Sequence, residues 1–139
     1  MNRNLTEPEP ANWSRKTILV VDDDYSSRIL IEGILDFTQV NIEYAENGLQ
    51  AVYTCKTNEI DLVLMDLRMP VMDGFIATKL IREFLPRLPI IAVSACAFLT
   101  DRERCKEVGY TDYISKPIGI SCLIEKIAIY LCLSPVDWC

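Results

Sequence analysis

Histidine is absent from this 139-residue chain. Its absence excludes histidine general acid–base catalysis and histidine-ligated metal sites within the chain. Basic residues are in deficit, 14 Lys and Arg against 20 Asp and Glu, which leaves a formal charge of −6. An acidic chain has no general attraction for nucleic acid or anionic lipid, so neither direct DNA binding nor insertion into a membrane is expected. No apolar run approaches the ~20 residues needed to span a bilayer. Met1 to Lys16 is polar and proline-containing, without the apolar centre of a secretory signal. The six cysteines, Cys55, Cys96, Cys105, Cys122, Cys132 and Cys139, include no C-x-x-C pair. A reduced, cytoplasmic protein is expected, with most cysteines acting as small core residues and terminal Cys139 exposed and reactive. Repeats and low-complexity segments are also missing.

What is present suits one ordinary domain. Half the residues are hydrophobic (50%) and 24% are charged, a globular balance in a chain large enough for a real core. Glu7-Pro8-Glu9-Pro10 resists helix and sheet, so residues 1–15 read as a flexible leader or linker remnant, 16–133 as the domain and 134–139 as a short tail. From Lys16 onward, strand and helix patterns alternate. Ile18–Val21 reads as a buried strand and Tyr25–Phe37 as a helix capped by Asp24, with Leu30, Ile31, Ile34 and Leu35 facing a sheet. Gly33 inside that helix should cost ~1 kcal/mol relative to alanine, which suggests a close neighbour. Val40–Ala45 is a second strand, and Asn47-Gly48 starts a helix to about residue 56. Ile60–Asp66 is a third strand, followed by a loop through Gly74 and a helix to about residue 84. Pro86 and Pro89 precede a fourth strand over Pro89–Val93. A helix from about Thr100 ends at Gly109, and Tyr110–Ser115 leads through Lys116-Pro117 into a last helix, Ser121–Leu131. Five β/α pairs with short connections argue for a parallel sheet covered on both faces.

The chemistry sits at the ends of the apolar runs. Ile18–Val21 runs into Asp22-Asp23-Asp24, Leu62–Met65 ends on Asp66, Ile90–Val93 ends on Ser94, and the fifth segment delivers Lys116. In an open parallel sheet the carboxyl ends of the strands line one crevice where ligands bind. Each residue has an ordinary reading by itself: a helix cap for Asp24, a loop acid for Asp66, a strand-end hydroxyl for Ser94, a turn lysine for Lys116, a half-buried aromatic for Tyr113. Their joint placement is what carries weight. Two carboxylates ~5 Å apart repel by ~3 kcal/mol at an effective dielectric of about 20, so Asp22, Asp23 and Asp66 together call for a cation. Mg²⁺ suits such a place, since it takes one or two carboxylates, keeps waters and shares a phosphate. A carboxylate can also attack phosphorus to give an aspartyl phosphate.

These motifs resemble the receiver domain of two-component response regulators. Ile18-Leu19-Val20-Val21-Asp22-Asp23-Asp24 resembles the acidic first-strand motif, and Leu64-Met65-Asp66-Leu67-Arg68-Met69-Pro70-Val71-Met72-Asp73-Gly74 the phosphoacceptor segment. Ser94-Ala95 matches the switch hydroxyl, and Asp112-Tyr113-Ile114-Ser115-Lys116-Pro117 the fifth-strand motif. The resemblance implies a flavodoxin-like, doubly wound α/β fold: a five-stranded parallel sheet in the order 2-1-3-4-5 with five helices. It implies that Asp66 accepts phosphoryl from a partner phosphohistidine. Mg²⁺ would be held by Asp23, Asp66 and the Arg68 backbone carbonyl, with Asp22 acting through water. Lys116, aimed inward by a cis bond to Pro117, would pair with the acceptor and then with the phosphoryl group. Ser94 would donate to a phosphoryl oxygen, and Tyr113 would rotate inward as the loop after Ser94 moves.

Asp101-Arg102-Glu103-Arg104-Cys105, with Gly109 and Asp112-Tyr113, is similar to receivers of hybrid sensor histidine kinases. The implied partners are a kinase phosphohistidine and a histidine phosphotransfer protein. With only Cys132–Cys139 after the last helix, no DNA-binding output domain is expected. Arg68 and Cys96 lie where family members tune phosphoryl lifetime. The competing readings are a stand-alone response regulator, a receiver-like module that docks without phosphorylation, and an aspartate-nucleophile phosphatase. A phosphatase of that kind needs a general acid two residues after the nucleophile, and Arg68 cannot supply it. No enzyme activity is therefore expected beyond self-phosphorylation and dephosphorylation.

Overall fold

The short apolar runs become five parallel strands, each followed by a helix. In the computed structural model, which describes residues 12–95 and 99–131, the order along the chain is β1 (Thr17–Val21), α1 (Tyr25–Leu35), β2 (Asn41–Ala45), α2 (Gly48–Thr57), β3 (Leu62–Asp66), α3 (Gly74–Phe84), β4 (Ile90–Ser94), α4 (Leu99–Val108), β5 (Asp112–Ser115) and α5 (Ile120–Leu131). The strands pair in the order β2-β1-β3-β4-β5, as the family resemblance implies. Register aligns Val21 with Met65, Asp66 with Val93 and Ser94 with Ser115. The polar residues that end neighbouring strands therefore lie side by side at one edge.

Alternation along each strand divides the core. Leu19, Val21, Val63, Met65, Ile90 and Ala92 pack with Ala51, Cys55, Phe75 and Ile81 from α2 and α3. Ile18, Val20, Leu62, Leu64, Ile91 and Val93 pack with Ile31, Leu35, Leu123 and Ile127 from α1 and α5. Because both faces are covered, β3 and β4 are buried at every residue, which is why they read as continuous apolar runs rather than alternating ones. Asp24, Asn47 and Asp73 cap α1, α2 and α3, accepting from the backbone N–H groups of Ser26, Gln50 and Ile76. Each cap contributes about 1 kcal/mol.

Arg82 ties together segments that no sequence pattern links. Its guanidinium donates to the carbonyls of Gly109, Leu85 and Leu88 and to the Thr111 hydroxyl. It thus joins the end of α3, the entry to β4 and the turn before β5. Burial pulls its pKa down from the ordinary value. At that turn Gly109 has φ +102°, as its place after α4 requires.

Several expectations need correction. Trp13, within the segment read as a leader, is only 3% exposed and packs on the α1/α5 face. Its backbone N–H donates to Thr38 O at 2.7 Å, and Asn41 Nδ2 donates to Ser14 O at 2.9 Å. Residues from 12 onward therefore belong to the packed unit, because the indole supplies apolar surface that covers the core. The remainder of the leader and the 134–139 tail lie outside the described residues. The first helix stops at Leu35 and tightens into a 3₁₀ turn, Asp36–Thr38, before Gln39 at φ 63°. Leu30 is 50% exposed; Ile31, Ile34 and Leu35 already form the inward stripe, and Leu30 falls one position outside it. Of the cysteines, Cys55 and Cys105 are buried but Cys122 is exposed, while Cys96, Cys132 and Cys139 lie outside the described residues.

Gly33 was expected to have a close neighbour, yet a Cβ there would meet nothing within 4 Å. Its helix cost is therefore not offset by packing. Gly33→Ala should stabilise the fold by about 0.5–1 kcal/mol in chemical denaturation. A loss of stability would mean that the glycine meets a packing demand.

Candidate functional site

The edge formed by the carboxyl ends of β1, β3, β4 and β5 gathers the polar strand-end residues. Asp22 and Asp23 follow β1, and Asp66 is the last residue of β3. Their three carboxylates offer oxygens that all lie within 4.8 Å of one another, with Asp22 and Asp66 buried and Asp23 exposed. Asp22 is fixed from both sides. Its Oδ1 accepts from Asp24 N at 2.9 Å, and its carbonyl accepts from Arg28 Nη1 at 2.6 Å. Asp66 Oδ1 accepts from Arg68 N at 3.4 Å, so the backbone of Arg68 stays close to this carboxylate.

Lys116 comes in from the end of β5. Its N–H bonds Ser94 O at 2.9 Å, and the bond to Pro117 is cis, as expected. The ammonium donates to Asp22 Oδ2 at 3.0 Å and to Ser27 Oγ at 3.4 Å. It lies 4.0 Å from Asp66 Oδ2. The expected pairing with Asp66 is therefore a longer contact, and the hydrogen bond goes to Asp22, which is nearer. Ser94 is buried at the end of β4, one residue beyond the partner of Asp66. Its hydroxyl is near enough to the Tyr113 phenol to hold down the pKa of that group. Arg102 stacks over the Tyr113 ring with Cζ 5.1 Å from the centroid.

Close backbone approaches hold the loop after β3 against the site. A Cβ on Gly74 would stand 2.3 Å from Asp66 O and 2.6 Å from the Tyr110 hydroxyl. Only glycine lets α3 begin there, and Tyr110 Oη donates to Gly74 O at 2.8 Å. Gly48 likewise abuts Met72 O, to which its own N–H donates at 2.8 Å. Val71, in the same loop, has φ 68°, an uncommon conformation for a β-branched residue. Ser27 at Lys116, Arg28 behind Asp22 and Tyr110 behind Gly74 were not singled out in the sequence. Nothing in the spacing of the α1 residues pointed inward, and Tyr110 read only as the start of a strand.

Comparison with known proteins agrees with this geometry. The sequence pattern that defines the response regulator receiver domain family matches residues 18–128. The chain belongs to that family. This receiver is 36% identical over 113 residues to the sensor histidine kinase RcsC of Salmonella typhi, covering 81% of the chain but only 12% of RcsC. It is 33% identical to the polar-differentiation response regulator DivK of Brucella anthropi, covering 84% of the chain and 96% of DivK. Among solved structures, it is similar to the receiver domain of the Pseudomonas aeruginosa sensor histidine kinase PA1611, which has a magnesium ion coordinated in the active site cleft. That likeness has a TM-score of 0.77 and 36% identity, over 84% of this chain and 97% of the other. The receiver of Saccharomyces cerevisiae Ssk1, crystallised with the histidine phosphotransfer protein Ypd1, superposes with a TM-score of 0.81 at 26% identity, over 91% and 93% of the two chains.

The electrostatics follow from the receiver's layout. Burial pushes the Asp66 carboxyl up to about 6; Lys116 opposes this, while Asp22 and Asp23 add to it. Burial by itself would lower the Lys116 ammonium, but the hydrogen bond to Asp22 and the charge of Asp66 raise it overall. Burial and the nearby Cys105 raise the Tyr113 phenol, with the Ser94 hydrogen bond and Arg102 pulling it back. One ammonium among three carboxylates leaves the cluster short of positive charge. Oxygen donors in this arrangement fit a hard divalent cation such as Mg²⁺.

With a folded pKa near 6 against 3.8 for the unfolded carboxyl, the folded state holds the extra proton between those values. The stability of the metal-free protein should therefore fall as pH rises from about 4 to about 6. Asp66→Asn removes that penalty. Denaturation in EDTA should show the variant more stable by about 1–3 kcal/mol at pH 7, with the gap closing near pH 4. Equal stability at pH 7 would contradict the burial of an ionised Asp66.

Proposed function

We propose that this chain is the phosphoacceptor receiver of a phosphorelay, with Asp66 the residue that is phosphorylated. The observation that carries the reading is the meeting of Asp22, Asp23 and Asp66 oxygens within 4.8 Å beside the Lys116 ammonium. In the transfer, an Asp66 oxygen forms a bond to phosphorus as the phosphorus–nitrogen bond of the partner phosphohistidine breaks. The imidazole leaves with the electron pair and takes up a proton from solvent. The histidine must be the partner's, since this chain has none.

Asp23, Asp66 and the backbone carbonyl of Arg68 would hold Mg²⁺, with Asp22 reaching it through water. The ion supplies positive charge against the incoming phosphoryl oxygens. The protein's own groups do the rest. Lys116 is within a short side-chain adjustment of Asp66, and its charge favours the added phosphoryl oxygens. The Ser94 hydroxyl serves as a donor to one of them. Because the Ser94 hydroxyl lies near the Tyr113 phenol, redirecting it toward a phosphoryl oxygen would change the surroundings of Tyr113, and so the face that partners read. Only this difference in affinity between two arrangements can drive the switch.

The likeness to receivers of RcsC and PA1611 supports an origin in a hybrid sensor histidine kinase. That would make the donor a kinase phosphohistidine. The Ssk1–Ypd1 pair supports a histidine phosphotransfer protein as a further partner. We assign the domain to the cytoplasm; among the described residues no helix is long and apolar enough to cross a membrane.

The test is incubation with a small phosphodonor such as acetyl phosphate and Mg²⁺, read by intact-mass spectrometry. Wild type should gain one acid-stable, base-labile phosphoryl group. Asp66→Asn, or wild type in EDTA, should gain none. Equal modification of both proteins, or of neither, would overturn the assignment.

A further inference from the structure

A second buried carboxylate stands near the acceptor loop, outside the acid cluster. Asp101 lies in the first turn of α4 and is only 6% exposed. Its Oδ1 accepts from Arg68 Nη2 at 2.9 Å. Its Oδ2 is buried with no hydrogen-bond partner among the described residues. Among the described side chains of α4, Cys105 is also buried and Val108 is partly buried against the core. The Arg68–Asp101 pair therefore adds to the seat of this helix beside that packing, and a buried carboxylate with a single partner tolerates losing it poorly.

Arg68 is free to exchange partners. Its side chain is 55% exposed, and its own N–H already faces the Asp66 carboxylate. Its guanidinium shares the Phe75 ring with Arg104, the two Cζ atoms lying 5.5 and 4.1 Å from the centroid. Two like charges on one ring reduce the cost of Arg68 leaving. A phosphoryl group on Asp66 would add a dianion two residues away, and a guanidinium matches phosphoryl oxygens through paired N–H donors.

We propose that Asp101 is a positioning residue for the acceptor site, holding Arg68 on α4, and that a phosphoryl group on Asp66 competes for Arg68 and thereby loosens α4. This rests on the reading of Asp66 as the phosphoacceptor. The coupling is reciprocal: whatever frees Arg68 from Asp101 strengthens phosphoryl binding, and phosphoryl binding weakens the seat of α4.

Fluoroberyllate with Mg²⁺, a tetrahedral stand-in for phosphoryl on a carboxylate, tests this on the full chain. Asp101→Asn keeps the shape and removes the charge, and should tighten fluoroberyllate binding by about fivefold in calorimetry. The same substitution in an Arg68→Ala background should leave binding unchanged, which a merely structural effect of Asp101 would not do. Amides of α4 should exchange faster in wild type when fluoroberyllate is added, and should already be fast in Asp101→Asn without it. Equal affinity of wild type and Asp101→Asn, or an equal gain in the Arg68→Ala background, would overturn the Arg68–Asp101 coupling and leave the phosphoacceptor reading standing. Failure of wild type to bind fluoroberyllate with Mg²⁺ would remove both.

Discussion

Three carboxylates crowded at the open end of a parallel sheet, with one ammonium between two of them, set the terms for the rest of this domain. Asp22 and Asp66 are buried, so solvent does little to screen their repulsion. Lys116 offsets part of it by bonding Asp22 directly and lying at the longer distance of 4.0 Å from Asp66. What remains is a deficit of positive charge facing the solvent side of the site, where Asp23 is exposed. A divalent cation and a phosphoryl group together would supply the charge and fill the space. Neither Lys116 nor the caps around the cluster can do so.

The scaffold places these charges by register. Parallel pairing puts Val21 beside Met65 and Asp66 beside Val93, so that the residues at the strand ends face one crevice. Close packing then removes freedom from the loop after β3. Gly74 sits against the backbone of Asp66, and Gly48 against Met72. Arg82 fastens the turn before β5 to the end of α3, and β5 in turn delivers Tyr113 and Lys116. Asp112 braces the same strand from α5, accepting from Lys126 Nζ at 2.8 Å and from Tyr130 Oη at 2.7 Å.

Much of this was legible in the chain because apolar runs of strand length ended abruptly on Asp22, Asp66 and Ser94. Element types and order followed from the alternation of such runs with helical spacing, and the acid cluster from the position of its members at strand ends. The legible features were local ones. Trp13 was missed because its burial depends on the distant Thr38 and on the α1/α5 face, while its neighbours in sequence are polar and proline-containing. Leu30 was placed inward because a four-residue apolar cluster is wider than the stripe that α1 presents to the sheet. A glycine inside a helical pattern suggests a close neighbour, yet the helix surface at Gly33 is open. The partner of Lys116 and the Arg68–Asp101 bridge join residues 94 and 33 positions apart, a separation at which spacing carries no signal.

Anomalous diffraction from a crystal soaked in Mn²⁺, an oxygen-seeking ion that can occupy an Mg²⁺ site, bears most directly on the claim that this cluster is built around a cation. One strong peak is expected, bonded to carboxylate oxygens of Asp23 and Asp66 on the solvent side of Lys116. A cluster that stays free of manganese at millimolar concentration, or a peak bound away from Asp66, would contradict it.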